Sequence, residues 1–195
     1  MQKNIDSFLR VLDPKDNSTG GGTASAVAGA MAAALAAMVA RISMGREGME
    51  PESYYQTIAD EGEVLSRSLF NRGREDSEAF DMVMAAFKMP KSSEEEKAAR
   101  KEAIARAMLH ATEVPLANAE DCRRVLELCE KLLGRSNTNA ASDLESAGHL
   151  AKAGLLGCLA NVAINLPSVK DAARSREIKD RYEELHRLAT SSDGD

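Results

Sequence analysis

The chain contains no tryptophan, and aromatic residues supply only 4% of its 195 positions. Its core must therefore be filled by Ala, Leu, Val, Ile and Met. Hydrophobic residues still make up 44%, enough for a globular fold to offset the entropy of ordering the chain. Sustained period-two alternation with closely spaced turn residues is also missing, which excludes a sheet. Positive charge is in deficit: 25 Lys and Arg face 31 Asp and Glu, for a net charge of −6. A general nucleic-acid binder needs a basic face, so that class is excluded. Cysteine is scarce and odd in number (Cys122, Cys129, Cys158). With an N-terminus that reads as an amphipathic helix rather than an export signal, this suits a reducing cytoplasm. One charge-free run, Thr23 to Ala40, approaches the length of a membrane span. It is dominated by Ala, Gly, Ser and Thr, so we read it as a helix buried in protein on all sides, with no membrane partner.

The remaining pattern is helical throughout. Apolar spacing predicts a first helix over Ile5–Leu12, stopped at Asp13-Pro14, and an Ala-rich second helix from Thr23 to about Ser43, ended by Gly45 and Gly48. A long third helix follows from Glu52 to about Phe87, which Asn71-Arg72-Gly73 could interrupt and Pro90 closes. Ser93 with Glu96 has the form of a capping box, and Pro115 predicts a kink or break before the chain resumes as helix to Leu133. Ser142 with Glu145 suggests a second capping box for a helix from Asp143 to about Asn165, broken at Pro167. A charged helix over about Asp171–Ala189 ends the fold. The expectation is an all-α, single-domain bundle of six to seven helices over 1–190, with 191–195 a disordered tail.

Several local patterns carry chemistry, each beside a plainer reading. Gly20-Gly21-Gly22-Thr23 runs straight into a helix, where free N–H groups can bind an anion; it can equally be a flexible turn. It has neither the Lys-Ser/Thr of a P-loop nor the preceding strand of a dinucleotide fingerprint. Asp76 shares a helix face with Phe80, Val83 and Phe87, so it is either a costly carboxylate on a core stripe or an acid at its edge. Lys88, Lys91 and Arg100 cluster around Pro90, as a polyanion pocket or as solvated cations. Asn161 and Asn165 lie four apart in an apolar run, where buried amides need specific partners; these could be neighbouring helices. Asp143 also fits a first-turn acid favoured by the helix dipole. His110, His149 and His186 form no HxxxH pair and the cysteines lack a zinc spacing, so no metal site is assigned.

Taken in order, GGGTASAVAGAMAAALAAMVA, DSEAFDMVMAAFKMPKSSEEEKAARKEAI, ATEVPLANA, NTNAASD and NVAIN resemble the formiminotetrahydrofolate cyclodeaminase/methenyltetrahydrofolate cyclohydrolase family. The resemblance covers almost the whole chain, and the stretch from Asp76 to Pro115 is especially similar to stand-alone bacterial cyclohydrolases. It implies an all-helical homodimer that works on a folate substrate without metal or redox cofactor. Asp76, Lys91 and Asp143 are then expected to carry acid–base and electrostatic roles. Gly20, Gly21, Gly22, Asn139, Asn161 and Asn165 are expected to bind the substrate, with Lys88 and Arg100 meeting its glutamate tail. Thr19 and Ser136 depart from the family pattern, which has Pro and Gly there. Lack of a fused formiminotransferase segment tilts the reading toward hydrolysis of 5,10-methenyltetrahydrofolate to 10-formyltetrahydrofolate. Ring closure with release of ammonia, and a non-catalytic folate-binding dimer, stand as alternatives.

Overall fold

The computed structural model describes residues 19–191. Among these there are five α-helices, two short 3-10 turns and no strand. The helices are α1 (Gly21–Ser43), α2 (Glu52–Lys88), α3 (Glu94–Leu132), α4 (Ala141–Asn165) and α5 (Ala172–Thr190); the 3-10 turns span Thr138–Ala140 and Leu166–Ser168. The all-α expectation agrees with this, and among the described residues the helices number five, against the six to seven expected for the chain. The helix expected over 5–12 lies outside the described residues. Pro115 does not divide the chain either: α3 continues through it for 39 residues.

The proline is accommodated by its surroundings. A helical proline has no N–H, so the carbonyl four residues earlier loses its donor. That carbonyl belongs to Ala111, and the Asn165 side-chain amide donates to it at 2.8 Å. Gly73 also fails to interrupt α2. It is buried against Thr23 and Ala26 of α1, while Arg72 pairs with the nearly buried Asp121 of α3 at 2.5 Å. The glycine serves close helix approach rather than a turn.

Helix α1 is the axis of the bundle, packed by α2, α3 and α4. Its small residues let backbones come close. A methyl at Gly29 would lie 2.5 Å from Cys122 Sγ, and one at Gly154 would lie 2.9 Å from the Ser25 carbonyl. Around this seam, Ala32, Ala33, Ala36, Leu65, Leu69, Leu128, Leu155 and Leu159 form a continuous buried core. The far end is fastened by Tyr54 and the fully buried Tyr55, whose hydroxyls donate to the carbonyls of Lys131 and Arg135. These interactions supply partners to carbonyls at the end of α3.

Burial of α1 on all sides, however, is corrected. Its fourth side is open, with Met31 56%, Met38 37% and Ile42 38% exposed. The capping box at Ser93 forms as expected: Ser93 Oγ accepts from the Glu96 N–H at 3.1 Å and Glu96 Oε2 accepts from the Ser93 N–H at 3.1 Å. The one at Ser142 does not form. Asn137 Oδ1 accepts from the Asn139 N–H and opens a 3-10 turn, so α4 begins at Ala141 and Ser142 lies inside it.

Helices α2 and α3 are much longer than α1, and they project together beyond its N-terminus as a two-helix arm. The arm has its own small core of Val83, Ala86 and Ala107. Phe80 and Phe87, expected on the core stripe with Val83, are 38% and 49% exposed.

Candidate functional site

The glycine loop and Asp76 meet. Gly20 caps α1 with extended backbone, and Ala24 N–H closes the first turn onto the Gly20 carbonyl at 3.1 Å. One helix away, Asp76 of α2 points at this terminus. Its Oδ2 accepts from Thr23 Oγ1 at 3.1 Å, and the Thr23 backbone also hydrogen-bonds to the carboxylate. A side chain at Gly22 would place its Cβ 2.5 Å from Asp76 Oδ2 and 2.6 Å from Oδ1. Gly22 is therefore required by the carboxylate beside it, which gives the glycine run a specific purpose.

Burial pushes the Asp76 carboxyl above the usual aspartate range, and the two Thr23 hydrogen bonds pull against that shift. Burial of a charge is favourable only with compensating partners, so a carboxylate held this way is poised for a cationic ligand. Asn161 completes the near side from α4. Its amide donates to the Gly157 carbonyl at 2.9 Å, and its Nδ2 lies 3.6 Å from where a Gly21 Cβ would stand.

The other expected site residues fall elsewhere. Asn165 donates to Ala111, so its amide is engaged within the fold. Asn139 and Asp143 belong to the opposite end of α1. Asn137 takes Ser43 Oγ as acceptor for its N–H at 2.9 Å, and its side chain reaches the Ile42 carbonyl at 3.5 Å. Asp143 stands in the first turn of α4 at that same end. At 1.5 Å per residue, the Gly22 and Ser43 ends of α1 are about 30 Å apart. Asp76 and Asp143 of one chain therefore cannot serve one carbon atom.

Lys88, Lys91 and Arg100 gather at the tip of the arm, where α2 gives way to α3. Lys88 is twelve residues past Asp76 on the same helix, about 18 Å away. The Arg100 guanidinium donates to the Phe87 carbonyl at 3.1 Å and lies 5.8 Å from the Phe87 ring centre. Behind it a groove runs between Phe87, Ile104, Met108 and Pro167, edged by Lys101 and Lys170.

Two residues were missed at the level of sequence. Thr23 holds the central carboxylate, and its place directly after the glycines was the available signal. Asn118 is fully buried, with neither amide atom partnered among the described residues. It lies one turn before Cys122, and only a polar residue in the apolar run of α3 marked it. Among the described residues no three His, Cys, Asp or Glu side chains converge.

Residues 4–184 match the formiminotransferase-cyclodeaminase family. This chain belongs to that family. It is 38% identical over 187 residues to the methenyltetrahydrofolate cyclohydrolase of Methylorubrum extorquens, covering 95% of this chain and 88% of that protein. It is 30% identical to the formimidoyltransferase-cyclodeaminase of Sus scrofa over 95% of this chain, but spans only 34% of that longer protein. Among solved structures, the formiminotetrahydrofolate cyclodeaminase of Thermotoga maritima matches with a TM-score of 0.81 and 32% identity, over 94% of this chain and 87% of that one. Fold and family thus agree, and these relatives are enzymes with two different activities at folate C–N bonds.

Proposed function

We propose that this chain is a methenyltetrahydrofolate cyclohydrolase, converting 5,10-methenyltetrahydrofolate and water to 10-formyltetrahydrofolate and a proton. The observation that carries this reading is the likeness to the Methylorubrum extorquens cyclohydrolase along nearly the full length of both proteins. Water adds to the amidinium carbon between N5 and N10, losing a proton as the C–O bond forms. The adduct's hydroxyl then loses its remaining proton to solvent as the C=O bond forms and the C–N5 bond breaks; N5 takes a proton, and the formyl group stays on N10.

Asp76 is suited to both halves. As a carboxylate it pairs with the amidinium cation and accepts the proton of the attacking water; once protonated, it returns that proton to N5. Its elevated affinity for protons suits this exchange better than an ordinary surface aspartate would. Gly20, Gly21 and Asn161 line the approach and offer N–H and amide groups to the pterin or to a carbonyl of the ligand. The reaction needs no metal or redox cofactor in this scheme, and the reading extends to a cytoplasmic homodimer.

The second reading is formiminotetrahydrofolate cyclodeaminase, favoured by the Thermotoga maritima structure. There N10 attacks the formimino carbon and ammonia leaves, through a tetrahedral adduct similar in shape. Purified protein offered each substrate separately, with methenyltetrahydrofolate followed by absorbance, separates the two. Turnover of the methenyl compound with none of the formimino compound is expected. Turnover of the formimino compound with release of ammonia would replace the first reading by the second.

A further inference from the structure

Three asparagines lie in α3 and α4, and one of them differs from the other two. Asn161 donates to the Gly157 carbonyl and Asn165 to the Ala111 carbonyl. Asn118 of α3 is fully buried, yet neither its Nδ2 nor its Oδ1 has a partner among the described residues. Leaving a buried donor and a buried acceptor unpaired costs free energy, so an amide kept in such a place points to something it holds.

The surroundings of Asn118 can be read from its neighbours. Ala111, Pro115, Asn118 and Cys122 share one face of α3. At one end of that face Cys122 lies against Gly154 of α4 and Gly29 of α1; at the other, Ala111 accepts from Asn165. The two helices therefore run antiparallel. Asn118, one turn from Cys122, stands level with Cys158, one turn from Gly154. The Cys158 thiol shares a hydrogen bond with Cys122; that bond, burial and the nearby Asp76 carboxylate all hold its proton on. From α2, Arg72 sits one turn before Asp76 and reaches the carbonyl of Ala117, next to Asn118. Asn118 thus belongs to the bundle interior behind Asp76.

We propose that Asn118 is a positioning residue: its amide holds an internal water behind Asp76, and that water hydrogen-bonds to the carboxylate. The inference rests on the reading of Asp76 as the group that meets the folate cation. Water donates and accepts at once, and a buried one needs about two to four polar partners. Asn118 supplies one of each kind, Asp76 an acceptor and Cys158 a weak thiol. A larger ligand does not suit, because Asn118 is closed off from solvent. A carboxylate in apolar surroundings stays charged only while donors reach it. Thr23 supplies two, and the water is the third. Other ionisable groups around Asp76 are few among the described residues. Helix α1 carries none before Arg41, α3 and α4 bring the thiols of Cys122 and Cys158, and Arg72 is paired with Asp121.

The test replaces the amide and follows the carboxylate. Asn118→Leu has nearly the same shape and no polar atom, so it excludes the water. In the free protein, the Asp76 midpoint is followed by carboxyl-carbon NMR, with the signal assigned by its loss in Asp76→Asn. It should rise by about one pH unit, the size expected for one lost hydrogen bond to a charged group. The acid limb of kcat/KM for methenyltetrahydrofolate should move up by the same amount, with the lost rate returning as pH rises. Asn118→Ser keeps a hydroxyl and room for water, and should restore most of both. A merely structural asparagine would change the melting temperature and leave the limb in place. A folded Asn118→Leu protein with an unmoved Asp76 midpoint overturns the proposal. Should that variant not fold, the wild type decides: magnetisation transfer from a long-lived water to the Asn118 side-chain amide is expected. Absence of that transfer, or a crystal structure pairing the amide directly with protein, overturns the proposal. If wild type turns over neither folate, the functional reading fails instead, and the Asp76 titration still decides whether Asn118 acts on it.

Discussion

Asn165 of α4 donates to the carbonyl of Ala111, the one that Pro115 of α3 deprives of its helical partner. Two residues that read as separate signals, a helix breaker and a candidate ligand, are one structural device. Asn165→Ala should leave a partly buried carbonyl unpaired and cost about 1–3 kcal/mol in urea unfolding. In a Pro115→Ala background the helix can supply its own N–H, so the same change should cost clearly less. Equal costs in both backgrounds would show that the asparagine is there for something else.

Asp76→Asn should slow turnover and stabilise the free protein together. Burial raises the proton affinity of Asp76 in the fold. Between its unfolded value, near 3.9, and its raised folded value, the native state binds more protons than the unfolded one. Stability therefore falls with rising pH through that window, and the deficit persists above it. The amide removes the buried charge, so the melting temperature at neutral pH should rise, by about 2–4 °C for each kcal/mol recovered. The acid limb of wild-type kcat/KM should lie above the ordinary aspartate range. An unchanged melting temperature with an unchanged rate would remove Asp76 from the site altogether.

Gly29→Ala probes the seam of α1. Its new methyl would stand 2.5 Å from Cys122 Sγ and 3.2 Å from Leu69 Cδ1. Overpacking of this kind costs about 1–3 kcal/mol. Cys122→Ala removes the nearer obstacle, so the double variant should be more stable than the sum of the two single changes implies. Thermal melts of the four proteins give the coupling directly.

The cations at the arm tip are too far from Asp76 to join the chemistry within one chain, Lys91 included. A polyglutamate tail is a polyanion, and an acidic protein repels it except where cations are concentrated. Lys88→Ala and Lys91→Ala should raise KM for polyglutamylated substrate more than for monoglutamate, leave kcat nearly unchanged, and lose this preference as salt rises. Arg100→Ala should do the same and also loosen the arm, because Arg100 holds the Phe87 carbonyl. Equal KM changes for both tail lengths would leave these residues without a tail to bind.

The helices were legible because their signals are local. Apolar spacing, the Ser93–Glu96 box, and Gly45 and Gly48 at positive φ mark boundaries that need no knowledge of the rest of the chain. Pro115 was misread because its remedy comes from α4, fifty residues later. The open side of α1 was misread for the same reason: composition says that a helix is apolar, while neighbours decide which faces are covered. The candidate site was half legible. The glycines and Asp76 could be named one by one, but only packing shows that Gly22 lacks a side chain because Asp76 occupies its place. Asp143 could be named too, and only the antiparallel run of α4 shows how far from Asp76 it lies.

The arm gives α2 and α3 unequal halves. Near α1 they share the main core, with Tyr54 and Tyr55 tying one end. Beyond Asp76 the described residues hold them together through a small cluster, Val83, Ala86 and Ala107 with the partly buried Ala103, Ile104, Met108 and Ala111, and through the Arg100–Phe87 hydrogen bond. Amide exchange along each helix should therefore be graded, fast toward Pro90 and slow toward Tyr55 and Leu132, with the outer turns opening as a unit while the bundle stays closed. The Ser93–Glu96 box slows only the first turn of α3. Whatever the tip grasps would be held by the part of the molecule that costs least to rearrange, and binding there would register first as slowed exchange in the arm.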